Sequence, residues 1–527
     1  MKVLVSDPLS EVGVQLMRET PGIDLDVKTG LKPEELKEII GPYHGLVIRS
    51  ATKVTAEIIE AADNLKVIGR AGIGLDNVDI KAASKRGIVV MNTPEGNTVT
   101  TAEHTISMMM ALSRNIPQAT ASMKEGKWEK KKLEGRELFN KILGLIGVGK
   151  IGRIVADRAK GLKMKVIAHD PYLQPEVIEK MDLEPVSLEE LLQRADVITI
   201  HTPKTNETAN LMNKDTLTRM KKGALLINCA RGGIVNEEDL YEALTSGHLG
   251  GAALDVFASE PPGKIKLMEL PNFICTPHLG ASTREAQDNV AREVAEQIVD
   301  FLLQGTIKNA VNVPAVSAEL RSVLQPYAIL TEKMGTLLAQ LTDGPVEEIQ
   351  IQYEGKIAEY NSAPLTTAAI KGLLTPILQD DVNFINAPVI AAERGIKVFE
   401  TKTGQAEDFS TLITITVNSA EGEQIVSGTI FGKNRPRILR INHFFLEAMP
   451  EGHLLLIYNE DIPGAIGLVS TILGNRNINI DSMQVIQDQE KKQNAMMLLA
   501  TNPDVSDAVV EELRALSCVF SIRRIEL

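Results

Sequence analysis

Cysteine is scarce in this sequence. The three present, Cys229, Cys275 and Cys518, stand far apart among 527 residues. They form neither a disulfide framework nor a zinc-ligand spacing, which fits a reducing compartment. Long apolar runs are missing too. None reaches the roughly 18 residues of a membrane-spanning helix, and the run after Met1-Lys2 is too short for a secretory signal. Basic residues are outnumbered, with 56 Lys and Arg against 69 Asp and Glu for a net charge of −13. No cationic footprint therefore points to nucleic acid or an anionic membrane. These absences leave a cytoplasmic globular protein as the expectation. A composition that is 44% hydrophobic and 24% charged agrees and rules out collagen, mucin and dominant disorder. At about 100–200 residues per domain, the length predicts three or four domains.

Short apolar runs at Lys2–Val5, Leu46–Ile48, Val67–Ile68 and Val89–Met91 alternate with helical patterns over 33–40, 55–62 and 79–86. That alternation predicts a parallel sheet covered by helices. A long apolar helix spans Thr98 to about Arg114, and its methionines read as core packing. A second α/β unit follows, with strands at Ile142–Ile146, Lys165–His169, Val197–His201, Ala224–Asn228, Gly251–Asp255 and Phe273–Cys275. The amphipathic stretch 284–303 is expected to return to the first unit. The predicted divisions are 1–98 (completed by 284–314), 99–283, 315–450 and 451–527. The third mixes alternating strands with short helices and reads as α+β. The fourth reads as βαββαβ, the ferredoxin-like plan. The fold class is thus α/β, with two doubly wound, Rossmann-like or flavodoxin-like domains flanking a cleft and two further domains.

Gly147-Val148-Gly149-Lys150-Ile151-Gly152 follows a predicted strand and opens a predicted helix, the context a dinucleotide fingerprint requires. Gly147 suits the tight turn, Gly149 the approach of a pyrophosphate, and Gly152 close helix–strand packing. The helix N-terminus offers free N–H groups to the phosphates. Asp170, 23 residues beyond Gly147, ends the next strand where a ribose-binding acid belongs. Its carboxylate would repel a 2′-phosphate, so NAD is expected over NADP. No metal site is expected.

Arg231, Glu260 and His278 each follow a predicted strand, where ligands bind in open α/β sheets. Oxidising a secondary alcohol needs a base for the hydroxyl proton while hydride leaves carbon, and histidine suits that work near neutral pH. A carboxylate can orient it, and arginine grips a 2-oxo acid through two oxygens. Arg49 and Arg70 follow strands of the first unit and are expected to hold a phosphate or carboxylate. Gly72 and Gly74 are expected to leave backbone N–H groups for the substrate carboxylate.

The stretches Lys222–Gly232 and Pro277–Thr283 resemble signatures of the D-isomer-specific 2-hydroxyacid dehydrogenases. Arg49–Thr52, Arg70–Asn77 and Asn92-Thr93-Pro94 resemble its phosphoglycerate-acting branch. Asn386-Ala387-Pro388, Arg394-Gly395-Ile396 and Gly432-Lys433 resemble that branch's long form, which carries an intervening domain and a C-terminal ACT domain. The resemblance implies NAD-dependent oxidation of D-3-phosphoglycerate to 3-phosphohydroxypyruvate, opening phosphorylated L-serine synthesis. It implies Arg231 as substrate-orienting, Glu260 as partner of the histidine and His278 as general acid/base. Cofactor contacts are implied at Lys150, Ile151, Asp170, Thr202, Cys229, Ala230, Asp255, Leu279, Gly280 and Ala281. Isoleucine at Ile73 can offer only backbone where some members contact cofactor. Lys130, in a lysine-rich stretch, is implied to reach a neighbour's substrate site in a homo-oligomer, a dimer or tetramer. An L-serine effector is implied at the ACT domain, on the helix after Pro463-Gly464, with Asn459, Asp461 and Asn479 as contacts. A glycerate or hydroxypyruvate reductase and a non-enzymatic NAD-sensing protein of the same fold remain as alternatives.

Overall fold

The computed structural model describes residues 1–314, 318–378, 382–405, 409–489 and 491–527. The expected boundary at 314/315 abuts residues 315–317, which lie outside the described residues. Four sheets organise the chain. The first holds β1 (Lys2–Val5), β2 (Asp24–Val27), β3 (Gly45–Ile48), β4 (Val67–Arg70) and β5 (Val89–Asn92) in the order β2-β1-β3-β4-β5. This is the flavodoxin-like doubly wound order. The pairings β1–β2, β1–β3 and β3–β4 are parallel. The edge strand β2, DLDV, escapes sequence reading because it carries two acids and buries none of its residues fully.

The second sheet holds β6 (Ile142–Ile146), β7 (Lys165–His169), β8 (Glu184–Pro185), β9 (Val197–Ile200), β10 (Leu225–Asn228), β11 (Gly251–Leu254) and β12 (Phe273–Cys275). Its order, β12-β11-β10-β9-β6-β7-β8, reverses direction at β6. Every pairing in it is parallel. β9 to β11 are buried along their whole length, which is why they read as continuous apolar runs rather than alternating ones. One face packs Leu226, Leu254 and Ile198 against Leu217 and Leu240. The other packs Leu143, Leu145 and Ile227 against Met109 and Val155.

The helix Arg284–Gln304 returns to the first sheet. Thr283 caps its start by accepting the Ala286 N–H, and Gly305, at φ 68°, ends it. Ser10 Oγ donates to its Asp288. A Cβ on Gly45 or Gly69 would press on Leu302, Val294 or Ile298 of this helix, and one on Gly13 would collide with the Ala291 carbonyl.

The third sheet is mixed. It holds β13 (Val346–Gly355), β14 (Lys397–Thr403), β15 (Thr411–Ser419), β16 (Gly422–Phe431), β17 (Arg435–Ile441) and β18 (Phe444–Ala448) in the order β14-β13-β15-β16-β17-β18. Its helices, Ala318–Leu341 and Ala363–Leu378, meet through Gly335 and Gly372, each set against a backbone carbonyl of the other helix. From sequence, 318–341 reads as one helix, as found, and only short helices are expected over 346–450. Ala363–Leu378 has 16 residues and is apolar nearly all round, so it shows no helical period to read.

The fourth sheet, β19 (His453–Glu460), β20 (Asn479–Gln487), β21 (Asn494–Asn502) and β22 (Val519–Glu526), is antiparallel with the order β20-β21-β19-β22. One face packs Leu455, Ile457 and Met497 against Val469 and Leu513 of its helices. The other buries Leu454, Leu456 and Met496 in the core of the mixed sheet.

By contacts the chain forms two compact units. One comprises Met1–Lys53, Val67–Val78 and Met91–Asn309; the other comprises Val54–Lys66, Asp79–Val90 and Ala310–Leu527. Among the described residues no helix is long and apolar enough to cross a membrane, and no cluster of metal-ligating side chains is found. Gly13→Ala is expected to cost about 1–3 kcal/mol, the usual range for overpacking. The melting midpoint should fall by several degrees. Gly161→Ala, with open space around its Cβ, should leave it unchanged or raise it.

Candidate active site

The glycine turn follows β6 at the switch point of the second sheet. Gly147 has φ 93° and donates its N–H to the His169 carbonyl at 2.9 Å. Gly152 lies so close under Gly147 that a Cβ would strike its carbonyl, while Gly149 faces open space. The helix Lys150–Gly161 starts there. Asp170 closes β7 and accepts the Val148 N–H at 2.9 Å and the Tyr172 N–H at 3.0 Å. Thr202 Oγ1 is buried without a partner. An open approach at Gly149, a carboxylate fixed beside the turn and an orphaned hydroxyl fit a dinucleotide. Lys150 is turned to Glu95, Nζ to Oε1 2.8 Å, and Ile151 packs partly into the core. His201 is half-buried, and desolvation pushes its pKa down to about 3, so it stays neutral.

Two residues expected as cofactor contacts lie inside the fold. Asp255 is wholly buried. Its carboxylate accepts Thr276 Oγ1 at 2.5 Å, the Leu279 N–H at 2.7 Å and the Gly280 N–H at 2.9 Å, with His104 Nε2 at 3.2 Å. It shapes the loop that carries His278 and takes up the N–H groups of Leu279 and Gly280. The Cys229 thiol is likewise buried, and desolvation raises its pKa to about 12. Ala230 N–H is held by Asn228 Oδ1 at 3.0 Å. Leu279 is exposed and Ala281 half-buried.

The Asp255 loop carries His278 in the left-handed region, φ 55°, with its N–H on the Asp255 carbonyl at 2.9 Å. His278 Nδ1 meets Glu260 Oε2 at 2.7 Å. Glu260 Oε1 accepts the Phe257 N–H at 3.0 Å. With Nδ1 engaged, Nε2 is the ring nitrogen left for a substrate. Gly232 is pressed so tightly on the Phe257 carbonyl that no Cβ would fit, so the Arg231 turn and the Glu260 turn adjoin. Arg231 donates from Nη1 to the Ala230 carbonyl at 2.7 Å and from Nε to Asp76 Oδ2 at 3.1 Å.

Arg49 and Arg70 stand at the ends of β3 and β4. Asp7, buried at the end of β1, accepts the Arg49 N–H at 2.6 Å and Thr52 Oγ1 at 2.8 Å. Asn77 Nδ2 donates to the carbonyls of Arg49 at 2.8 Å and Thr52 at 2.6 Å. Arg49 Nη1 reaches the Pro8 carbonyl at 3.1 Å. Arg70 Nε is buried without a partner. Burial, and then the positive charge of Arg231, lower the Arg70 pKa to about 10. Gly72 N–H is not free as expected: it donates to Thr93 Oγ1 at 2.7 Å. Gly74 lies against Arg231 and Asp76, and the Ile73 carbonyl accepts Asn92 Nδ2 at 2.6 Å. Lys130 opens an exposed three-residue 3₁₀ turn, apart from these loops in sequence.

In the fourth sheet, Asp461 accepts Gln487 Nε2 at 2.8 Å and Asn479 donates to Asp481 at 2.6 Å. Asn459, expected as an effector contact, is 1% exposed and faces the interior. Sequence reasoning missed Asp7, Asp76, Asn77 and His104 as parts of the site. Asp76 and Asn77 lie inside the Arg70–Asn77 stretch and Asp7 follows a strand, so position offered a signal. His104 sits mid-helix and offered none.

A dinucleotide turn, a histidine–carboxylate pair and arginines at adjoining strand ends define a dehydrogenase of 2-hydroxy acids. Comparison with known proteins agrees. Residues 106–280 match the D-isomer specific 2-hydroxyacid dehydrogenase NAD binding domain, 323–442 the D-3-phosphoglycerate dehydrogenase intervening domain and 453–518 the ACT domain. The chain is 45% identical to D-3-phosphoglycerate dehydrogenase of Synechocystis sp. over 97% of its length and 92% of that protein's. It is 43% identical to that of Archaeoglobus fulgidus, with 100% of both chains covered. A crystal structure of an NAD-dependent formate dehydrogenase from Staphylococcus aureus in complex with NAD is similar at 32% identity and TM-score 0.54, covering 60% of this chain and 100% of that one. The chain belongs to the D-3-phosphoglycerate dehydrogenase family.

Asp170→Ala is expected to weaken NADH binding about tenfold or more, the scale of a lost hydrogen bond to a charged group. Fluorescence titration reads this directly. Unchanged affinity would remove Asp170 from the cofactor site.

Proposed function

We propose that the chain oxidises D-3-phosphoglycerate to 3-phosphohydroxypyruvate with NAD, the first step of phosphorylated L-serine synthesis. The observation that carries the substrate choice is the arginine cluster. Arg70 Nε is buried and unpartnered, and no carboxylate lies within ion-pair distance of Arg49 or Arg70 among the described residues. Two cations beyond Arg231 suit a ligand with a phosphate as well as a carboxylate. A glycerate-type reductase has no use for both.

Arg231 holds the carboxylate and 2-oxygen, with Gly74 backbone beside it. His278 Nε2 takes the C2 hydroxyl proton as general base and returns it in the reverse direction. Glu260 fixes the ring by its Nδ1 contact and favours the imidazolium that forms. Gly147, Gly149 and the helix after them would hold the NAD pyrophosphate, with Asp170 on the ribose and Thr202 nearby; bound NAD supplies the hydride acceptor. The proposed domains are 1–98 with 284–314, 99–283, 315–450 and 451–527.

The ACT domain takes a small-molecule ligand. L-serine is the effector we favour, with the exposed Asp461 and Asn479 as its contacts. We further propose a cytoplasmic homo-oligomer, dimer or tetramer, in which Lys130 reaches a neighbour's substrate.

The account predicts that NADH oxidation strongly favours 3-phosphohydroxypyruvate over hydroxypyruvate in kcat/KM. Equal efficiency would move the chain to the glycerate-type reductases, and no turnover on either would favour a binding protein. His278→Asn should lower kcat about 10²–10⁴-fold, the usual contribution of a positioned acid–base group, with NADH affinity kept. A melting midpoint and activity both unmoved by millimolar L-serine would reject the effector.

A further inference from the structure

We propose that Asp76 is a positioning residue for Arg231, and that its charge sets substrate affinity against substrate orientation; this rests on the reading of Arg231 as the carboxylate-holding group. Asp76 Oδ2 accepts Arg231 Nε at 3.1 Å, and Arg231 Nη1 is turned to the Ala230 carbonyl. Together these contacts fix the plane of the guanidinium from its Nε edge. Nη2 is left over. It lies against Gly74, where any Cβ would collide with it and would stand 2.9 Å from Asp76 Oδ2. Asp76 therefore holds Arg231 at the glycine backbone, with Nη2 left to face the oxygens of a 2-oxo acid. A planar guanidinium is useful for such a grip only when its plane is fixed.

Asp76 has a second effect through its charge. The positive charges of Arg231 and Arg49 destabilise protonated Arg70, and the negative charges of Asp76 and Asp7 offset them. Asp76 is thus the counter-charge shared by two substrate arginines. The same carboxylate repels an incoming anion. Because its side chain is 64% exposed, the contact contributes little to fold stability. Its consequence is for geometry and affinity. An amide in its place would still accept the Nε–H but would not repel the substrate. A methyl group would do neither.

The test compares Asp76→Asn and Asp76→Ala in steady-state reduction of 3-phosphohydroxypyruvate by NADH. Asp76→Ala is expected to lower kcat about 10–100-fold, the scale of a misoriented substrate grip. Asp76→Asn should recover most of that loss and lower KM about two- to fivefold relative to the wild type. NADH affinity, followed by fluorescence, should stay at the wild-type value in both and so report an intact fold. If both variants match the wild type in kcat and KM, or if Asp76→Asn loses as much kcat as Asp76→Ala, the proposal is overturned. Arg231→Lys serves as the control on the underlying reading. Loss of kcat/KM there with no split between the Asp76 variants rejects the role of Asp76 alone. An unaffected Arg231→Lys enzyme rejects the role of Arg231 itself.

Discussion

The guanidinium groups of Arg49, Arg70 and Arg231 stand within one another's field, and Arg70 is half-buried with its Nε shut off from solvent, so water screens the repulsion only in part. A buried, unpartnered charge costs folding free energy unless something else repays it. The folded state holds the Arg70 proton less tightly than the unfolded chain does, since burial lowers its pKa to about 10. Its positive charge therefore costs stability in full below about pH 10, and that cost fades only as pH rises from there to the unfolded arginine's own higher pKa. A protein that retains this arrangement at neutral pH is shaped for an anion to complete it.

Much of the surrounding backbone follows from that requirement. Asp7 holds the loop after β3 by its own carboxylate, and Asn77 closes the same loop from the other side. Gly72 and Gly74 are glycines because arginine side chains occupy the space a Cβ would need. Across the site a second buried acid does similar work: Asp255 gathers Thr276, Leu279, Gly280 and His104 around itself. His278 is thereby held at the apex of its loop in a left-handed conformation that few non-glycine residues adopt. Hydrogen bonds to buried acids thus fix the backbone of the loops to which binding and proton transfer are assigned.

Much of this was legible in the residues. The parallel strands read clearly because burial on both faces leaves continuous apolar runs, and the glycine turn read clearly because β6 precedes it and a helix follows. The positions of Glu260 and His278 after strands placed them near one crevice, and the family resemblance implied their pairing. What escaped were features set by tertiary contacts. Nothing in sequence says that Asp255 faces inward, that Gly72 gives its N–H to Thr93 or that Asn459 is enclosed, since each depends on what packs against it. The all-apolar helix Ala363–Leu378 hid for the opposite reason, having no polar face to mark its period.

The most direct test of the anion-receptor account is the melting midpoint of wild type and Arg70→Met, each with and without 3-phosphoglycerate. The account predicts that Arg70→Met without ligand is as stable as the wild type or more stable, because a desolvated charge is gone, and that the ligand no longer raises its midpoint. A destabilised variant that still responds fully to 3-phosphoglycerate would contradict it, and would make Arg70 a structural residue.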